Sequence, residues 1–113
     1  MLKKVTICIA GLGRAGHFHL RSVQASELFT LKYIVDPALS VDDLQVDQNV
    51  EVLSTLEEAL TDSELDAVIV STPTPHHYDH ITQSLKVGKH VFAEKPLGTT
   101  VSEIQQCFDL AEE

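Results

Sequence analysis

Lys4-Val5-Thr6-Ile7-Cys8-Ile9-Ala10 runs without a break into Gly11-Leu12-Gly13-Arg14-Ala15-Gly16. From Val5 onward the first half is β-branched and apolar, the composition of a strand whose sheet is covered on both faces. The second half is a glycine turn. After it, Phe18, Leu20, Val23 and Leu28 follow a helical spacing and not an alternating one. Strand, glycine turn and helix open a βαβ unit, so the rest of the chain should supply parallel partners for the first strand.

It does so at regular intervals. With Lys4–Ala10 as the first strand, further strands are read at Leu31–Val35, Glu51–Leu53, Ala67–Ser71 and His90–Ala93. Val68, Ile69 and Val70 are continuous in their apolar character, as a central strand requires. Between the strands lie helix marks. Ser54 and Glu57 form a capping box ahead of Leu56, Ala59 and Leu60. Thr74 reads as an N-cap with Pro75 at the first helical position, and Gly88 stands where a helix ending near Val87 needs a left-handed residue. Thr100 and Glu103 open a last helix whose Val101, Ile104, Cys107, Phe108 and Ala111 keep the 3.6 period and cover the sheet. Pro37–Asn49 carries too little periodicity for more than a short turn. The fold class is therefore α/β, a doubly wound, mostly parallel sheet of about five strands with helices on both faces and order 3-2-1-4-5.

The 113 residues accommodate one domain, 1–113, and with 43% hydrophobic and 22% charged residues they can bury a core. Seventeen acidic against eight basic side chains leave a net charge of −9. Between Tyr33 and Leu85 there are eleven acids and neither Lys nor Arg, which excludes the basic face that nucleic acid needs. No apolar run approaches the ~20 residues that span a bilayer. Lys3 and Lys4 ahead of an apolar run imitate a signal peptide, but glycines and Arg14 end that run too early. Cys8 and Cys107 stand apart in apolar surroundings and are expected to be reduced core thiols of a cytoplasmic protein.

Each glycine of the turn has its own role. Gly11 makes the tight turn, Gly13 allows close approach of backbone to a pyrophosphate, and Gly16 allows close packing of helix on strand. The anion then rests on the positive end of the helix. Asp36 follows Gly16 by 20 residues, the spacing of an acid that binds the adenosine ribose diol. Its alternative is a turn residue before Pro37. A carboxylate there repels a 2′-phosphate and Pro37 supplies no cation, so NAD is favoured over NADP. Arg14 could reach the pyrophosphate or the adenine, or stand in solvent. Across the switch point between strands 1 and 4, Ser71-Thr72-Pro73-Thr74-Pro75-His76-His77 faces the glycine loop and should flank the nicotinamide half. The fifth strand ends in Glu94-Lys95-Pro96, where Lys95 is well placed to meet a substrate hydroxyl or carbonyl oxygen.

In this order, the glycine loop, Asp36 before proline, Ser71 to His77, and Glu94-Lys95-Pro96 followed by Leu97-Gly98 resemble the N-terminal domain of the Gfo/Idh/MocA oxidoreductases, the glucose-fructose oxidoreductase and inositol dehydrogenase family. The resemblance covers almost the whole chain. It implies a nicotinamide dinucleotide lying across the strand ends, held by Gly11 to Gly16, Asp36, Ser71, Thr72, Pro73, His77, Glu94 and Lys95. Lys95 would contact the substrate oxygen and assist proton transfer during hydride transfer, with Glu94 near the nicotinamide ribose. The small-molecule substrate would be a sugar, cyclitol or related polyol. Two departures stand out. Thr74 replaces an Asn common in the family, and the substrate domain that such enzymes carry after this segment is absent, so the chain alone should be inactive. A non-catalytic dinucleotide sensor or regulatory module is the alternative.

His76 and His80 are four apart, as zinc ligands can be, but no third ligand is fixed nearby and no metal is assigned. His17, His19 and His90 read as structural or solvated. The strand at Val91–Ala93 leaves an edge that invites pairing between chains, so a homo-oligomer is expected.

Overall fold

The structure is a computed structural model that describes residues 4–37, 49–93 and 97–112, the side chains of residues 14 and 15 excepted. Strand β1 (Val5–Ala10) leads through helix α1 (Arg14–Ala25) to β2 (Phe29–Val35). Then follow β3 (Glu51–Leu53), α2 (Leu56–Leu60), β4 (Ala67–Val70), α3 (Thr74–Lys86), β5 (His90–Ala93) and α4 (Val101–Ala111). All five strands are parallel, in the order β3-β2-β1-β4-β5. The order and the doubly wound arrangement are those expected from the sequence.

The pleat explains why β1 reads as continuous rather than alternating. Ile7 and Ile9 point to one face, into a core with Leu20 and Val23 of α1 and Ile34 of β2. Cys8 and Ala10 point to the other, into a core with Leu56, Ala59, Val68, Val70, Ile81 and Cys107 from the α2–α4 side. Both faces are covered, so both sets are apolar. Burial of an isoleucine such as Ile9, which has no exposed surface, contributes roughly 2–3 kcal/mol. Cys8 and Cys107 are both buried and unpaired. Burial pushes the Cys8 thiol up to about 12 and raises that of Cys107, which leaves both sulfurs inert as nucleophiles. No helix among the described residues is long and apolar enough to cross a membrane.

The helix boundaries depart from the sequence reading in instructive ways. Helix α1 ends at Ala25, and the Leu28 N–H donates to Ser26 Oγ in the turn beyond it, so Leu28 is exposed and not part of the helix. Phe18 is also exposed. It stands two residues before Leu20, about 200° round the helix, and so points away when Leu20 faces the sheet. Helix α2 is capped by Thr55, not Ser54, and the Thr55 hydroxyl donates to Glu58 at 3.1 Å, so the Ser54–Glu57 pairing is displaced by one residue. Burial of both Leu56 and Ala59 sets that phase. Likewise Pro73 is the N-cap of α3, which makes Thr74 its first residue and Pro75 its second. Neither position has an N–H that needs an intrahelical acceptor, so the proline costs nothing there. Thr82 and Ser84 are buried in α3 because their hydroxyls donate back to the carbonyls of Tyr78 and His80.

Two marks fall where the sequence put them. Gly88 takes φ +81° directly after α3, and Lys89 N–H donates to the Ser84 carbonyl. Thr100 caps α4 by accepting from the Glu103 N–H at 3.1 Å. Helix α4 covers the sheet less fully than its period promised, because Val101 and Phe108 are exposed and only Cys107 is fully enclosed. β5 forms an outer edge of the sheet, with His90 and Phe92 exposed.

One polar cluster ties β2 to the loop before β4. Tyr33 Oη donates to Asp62 Oδ2 at 2.7 Å, Lys32 Nζ meets the same oxygen at 2.5 Å, and the Glu64 N–H donates to Oδ1 at 2.9 Å. Lys32, then Tyr33, then the Glu64 amide hold the Asp62 carboxyl well below the usual carboxylate range. Asp62→Ala is expected to lose about 1–2 kcal/mol at pH 7, mostly from the Tyr33 and Glu64 bonds, since the half-exposed ion pair adds little. A group depressed in the folded state contributes above its unfolded pKa, so the deficit of the variant should shrink as pH falls below about 4. Urea denaturation at pH 7 and pH 3 measures both numbers.

Candidate functional site

The carboxyl ends of β1, β2, β3 and β4 converge on a cleft of about 680 Å³. Its floor is the glycine loop. Gly11 has φ +89°, its N–H donates to the Val35 carbonyl at 2.8 Å, and its α-carbon lies against the loop after β4 at Ser71–Thr72, the second loop of the cleft. A β-carbon at Gly11 would stand 2.6 Å from Thr72 N and 2.8 Å from the Ser71 carbonyl carbon. Gly16 is equally constrained from behind, where a β-carbon would lie 2.2 Å from the Gly11 carbonyl oxygen. Gly13 differs from both, because a β-carbon there would meet nothing within 4 Å. It is the N-cap of α1 and offers no side chain to the helix's first N–H groups. Those amides are left for an anion.

Asp36 stands at the end of β2, where its N–H donates to the Leu53 carbonyl and its Oδ2 accepts from the Leu12 N–H at 3.0 Å. The carboxylate thus fixes the middle of the glycine loop as well as lining the cleft. Across from it the second loop is held at one residue. The Thr72 carbonyl is within 2.5 Å of His77 Nε2, and the Thr72 hydroxyl is 2.9 Å from His80 Nδ1. Ser71 Oγ is buried and has no hydrogen-bond partner among the described residues. An orphaned hydroxyl facing a cleft is a place for a ligand atom.

Of the residues singled out in the sequence, Gly11, Leu12, Gly13, Asp36, Ser71, Thr72 and Pro73 line this one cleft. Gly16 lies behind it. His77 is buried and turned to the Thr72 carbonyl, outside the lining. The side chains of Arg14 and Ala15, and Glu94 and Lys95 altogether, lie outside the described residues. The cleft also takes in Ser54 to Glu57 after β3, and His76 and His80 of α3; of these the sequence reading placed only His76 near it, within the stretch from Ser71 to His77, and gave it no role. A signal was present for the histidines. His77 is four residues before the apolar Ile81 and shares its buried face, so His76 and His80, one position earlier, share the next face round. Asp36 and Ser54 to Glu57 enclose the same space, so among the described residues the second loop borders the side of the cleft that holds Asp36.

A dinucleotide fits this set of groups: backbone clearance at Gly13, an uncapped helix start, an acid just after β2 and a hydroxyl without a described partner in the cleft lining. Comparison with known proteins agrees. Residues 5–113 match a family model described as an oxidoreductase family with an NAD-binding Rossmann fold. The chain is 33% identical over 106 residues to scyllo-inositol 2-dehydrogenase (NAD(+)) of Bacillus subtilis, covering 91% of this chain and 31% of that protein. Among solved structures, it superposes with a TM-score of 0.90 on GenD2 from gentamicin A biosynthesis in complex with NAD, at 29% identity, covering 99% of this chain and 32% of that one. D-galactose-1-dehydrogenase from Rhizobium etli gives a TM-score of 0.86 at 29% identity, with 99% and 35% covered. The chain spans 15% to 37% of the length of the curated relatives it matches.

Proposed function

Since this chain belongs to the Gfo/Idh/MocA oxidoreductase family, we propose that it is the cofactor-holding part of a dehydrogenase acting on a sugar, cyclitol or related polyol. The relatives named for inositol and galactose support that substrate class. The observation that carries the reading is the joint presence, in one cleft, of the open backbone face at Gly13 and the carboxylate of Asp36.

In this reading NAD, when bound, supplies the hydride acceptor. The chain's own residues do the rest. The glycine-loop amides and the start of α1 take the pyrophosphate charge, and Ser71 Oγ offers the hydroxyl that has no partner among the described residues. Asp36 accepts from the ribose diol and, by its charge, turns away a 2′-phosphate. Lys95 meets the substrate oxygen and accepts the proton of its hydroxyl as the carbon is oxidised, or returns it in reduction. By the family resemblance, Glu94 would serve the nicotinamide ribose.

The test is NAD reduction with a panel of inositols and aldoses, in a polypeptide that joins this segment to a substrate domain. Lys95→Ala should lower kcat about a hundredfold, the low end of what a positioned proton-transfer group contributes, while the dissociation constant for NADH rises far less. An unaltered kcat in that variant removes Lys95 from the chemistry, and silence across the whole panel removes the polyol assignment.

A further inference from the structure

We propose that a dinucleotide entering this cleft is accompanied by one proton, taken up by the stacked histidine pair His76–His80. The inference rests on the cofactor reading and goes beyond it to how the site meets the ligand's charge. A pyrophosphate brings two negative charges, yet the described lining of the cleft contains neither Lys nor Arg and does contain the carboxylates of Asp36 and Glu57. The lining's imidazoles are its only described side chains able to become positive near neutral pH, and both belong to α3. Their rings are 5.9 Å apart between centroids and inclined by 25°. Two positive charges at that separation repel, so the pair holds one proton and not two.

The surroundings disfavour a proton on His80 in the empty cleft. His80 is half-buried with Nδ1 at the Thr72 hydroxyl, and burial, then the neighbouring His76, push its pKa below the ordinary histidine value. Asp79 and His77 of α3 and Glu57 of α2 also act on it, the two acids opposing the shift. Asp36 faces the cleft from β2. Helix α4 packs on α3 through Tyr78 Oη to Gln106, and its Glu103 carboxylate is occupied by Thr99. An arriving anion reverses the balance and raises the pKa of His80 in the complex. By linkage, affinity then rises as pH falls through the bound-state value and levels off below the free-state value.

Calorimetric titration of the 113-residue chain with NAD at pH 7, in two buffers of different ionisation heat, counts the protons directly. About half to one proton per NAD should be taken up, and the dissociation constant should tighten about three- to tenfold between pH 8 and pH 5.5. In the His76→Gln, His80→Gln double variant the uptake should vanish and the pH profile flatten. His76→Gln alone replaces an exposed ring, leaves the fold intact and should lower the uptake measurably. NAD binding without proton uptake, or with uptake unchanged in the variants, overturns the proposal and leaves the cofactor site standing. A chain that binds no NAD at any pH overturns both.

Discussion

Gly11→Ala should destabilise the fold by about 3 kcal/mol or more, because a left-handed residue strain and a backbone collision add. The added methyl would sit 2.6 Å from Thr72 N and 2.7 Å from its Cα, both main-chain atoms that cannot step aside. Thr72 is also held from the far side by His77 and His80. For a domain of this size the melting temperature should fall by at least about 10 °C. Gly88 provides the control. It has a similar φ of +81°, but a β-carbon there meets nothing within 4 Å. Gly88→Ala should therefore lose only about 1–2 kcal/mol, the cost of the dihedral alone. Equal melting temperatures for the two variants would show that the contact between the glycine loop and Ser71–Thr72 contributes nothing.

Gly13→Val should have the opposite signature. Nothing in the described protein lies near the space its side chain would fill, and Gly13 has an ordinary negative φ of −78°. Valine is a poorer N-cap than glycine, so a loss of about 1 kcal/mol or less is expected in stability. Its two methyls, however, would occupy the approach to the first N–H groups of α1. NADH affinity should drop at least about a thousandfold, ~4 kcal/mol, which puts binding below detection in a fluorescence titration. A folded Gly13→Val protein that still binds NADH at the parent affinity would mean that the ligand does not rest on this helix start.

The contrast between these glycines shows what a linear sequence discloses. The pattern Gly11, Gly13, Gly16 assigned three roles from spacing alone, and the structure keeps them separate: a positive φ, an open face and a close contact. Strand identity and order were equally legible, because a strand covered on both faces, such as β1 or β4, must be apolar at its enclosed positions on either side. Helix phase was harder to read. Ser54 and Thr55 are equally good caps by type, and only the burial of Leu56 and Ala59 selects the second. Adjacent helical residues point about 100° apart, so the choice between His76 and His77 as the cleft-facing ring turns on which one shares a face with Ile81. The bond from the Leu12 N–H to Asp36 joins residues 24 positions apart and has no local signature at all. It gives Asp36 a loop-holding role that spacing to Gly16 could not suggest.

The position of β1 also bears on how the chain is made. It precedes the other four described strands in this chain and lies in the middle of the sheet, and the amide of Thr6 is bonded to Asp66, 60 residues later. A nascent chain can lay β2 beside it early, but the other side of Ile9 has no neighbour until Ile69 has left the ribosome. Translation therefore leaves one flank of this apolar strand bare until β4 emerges, and closure of the sheet is a long-range event.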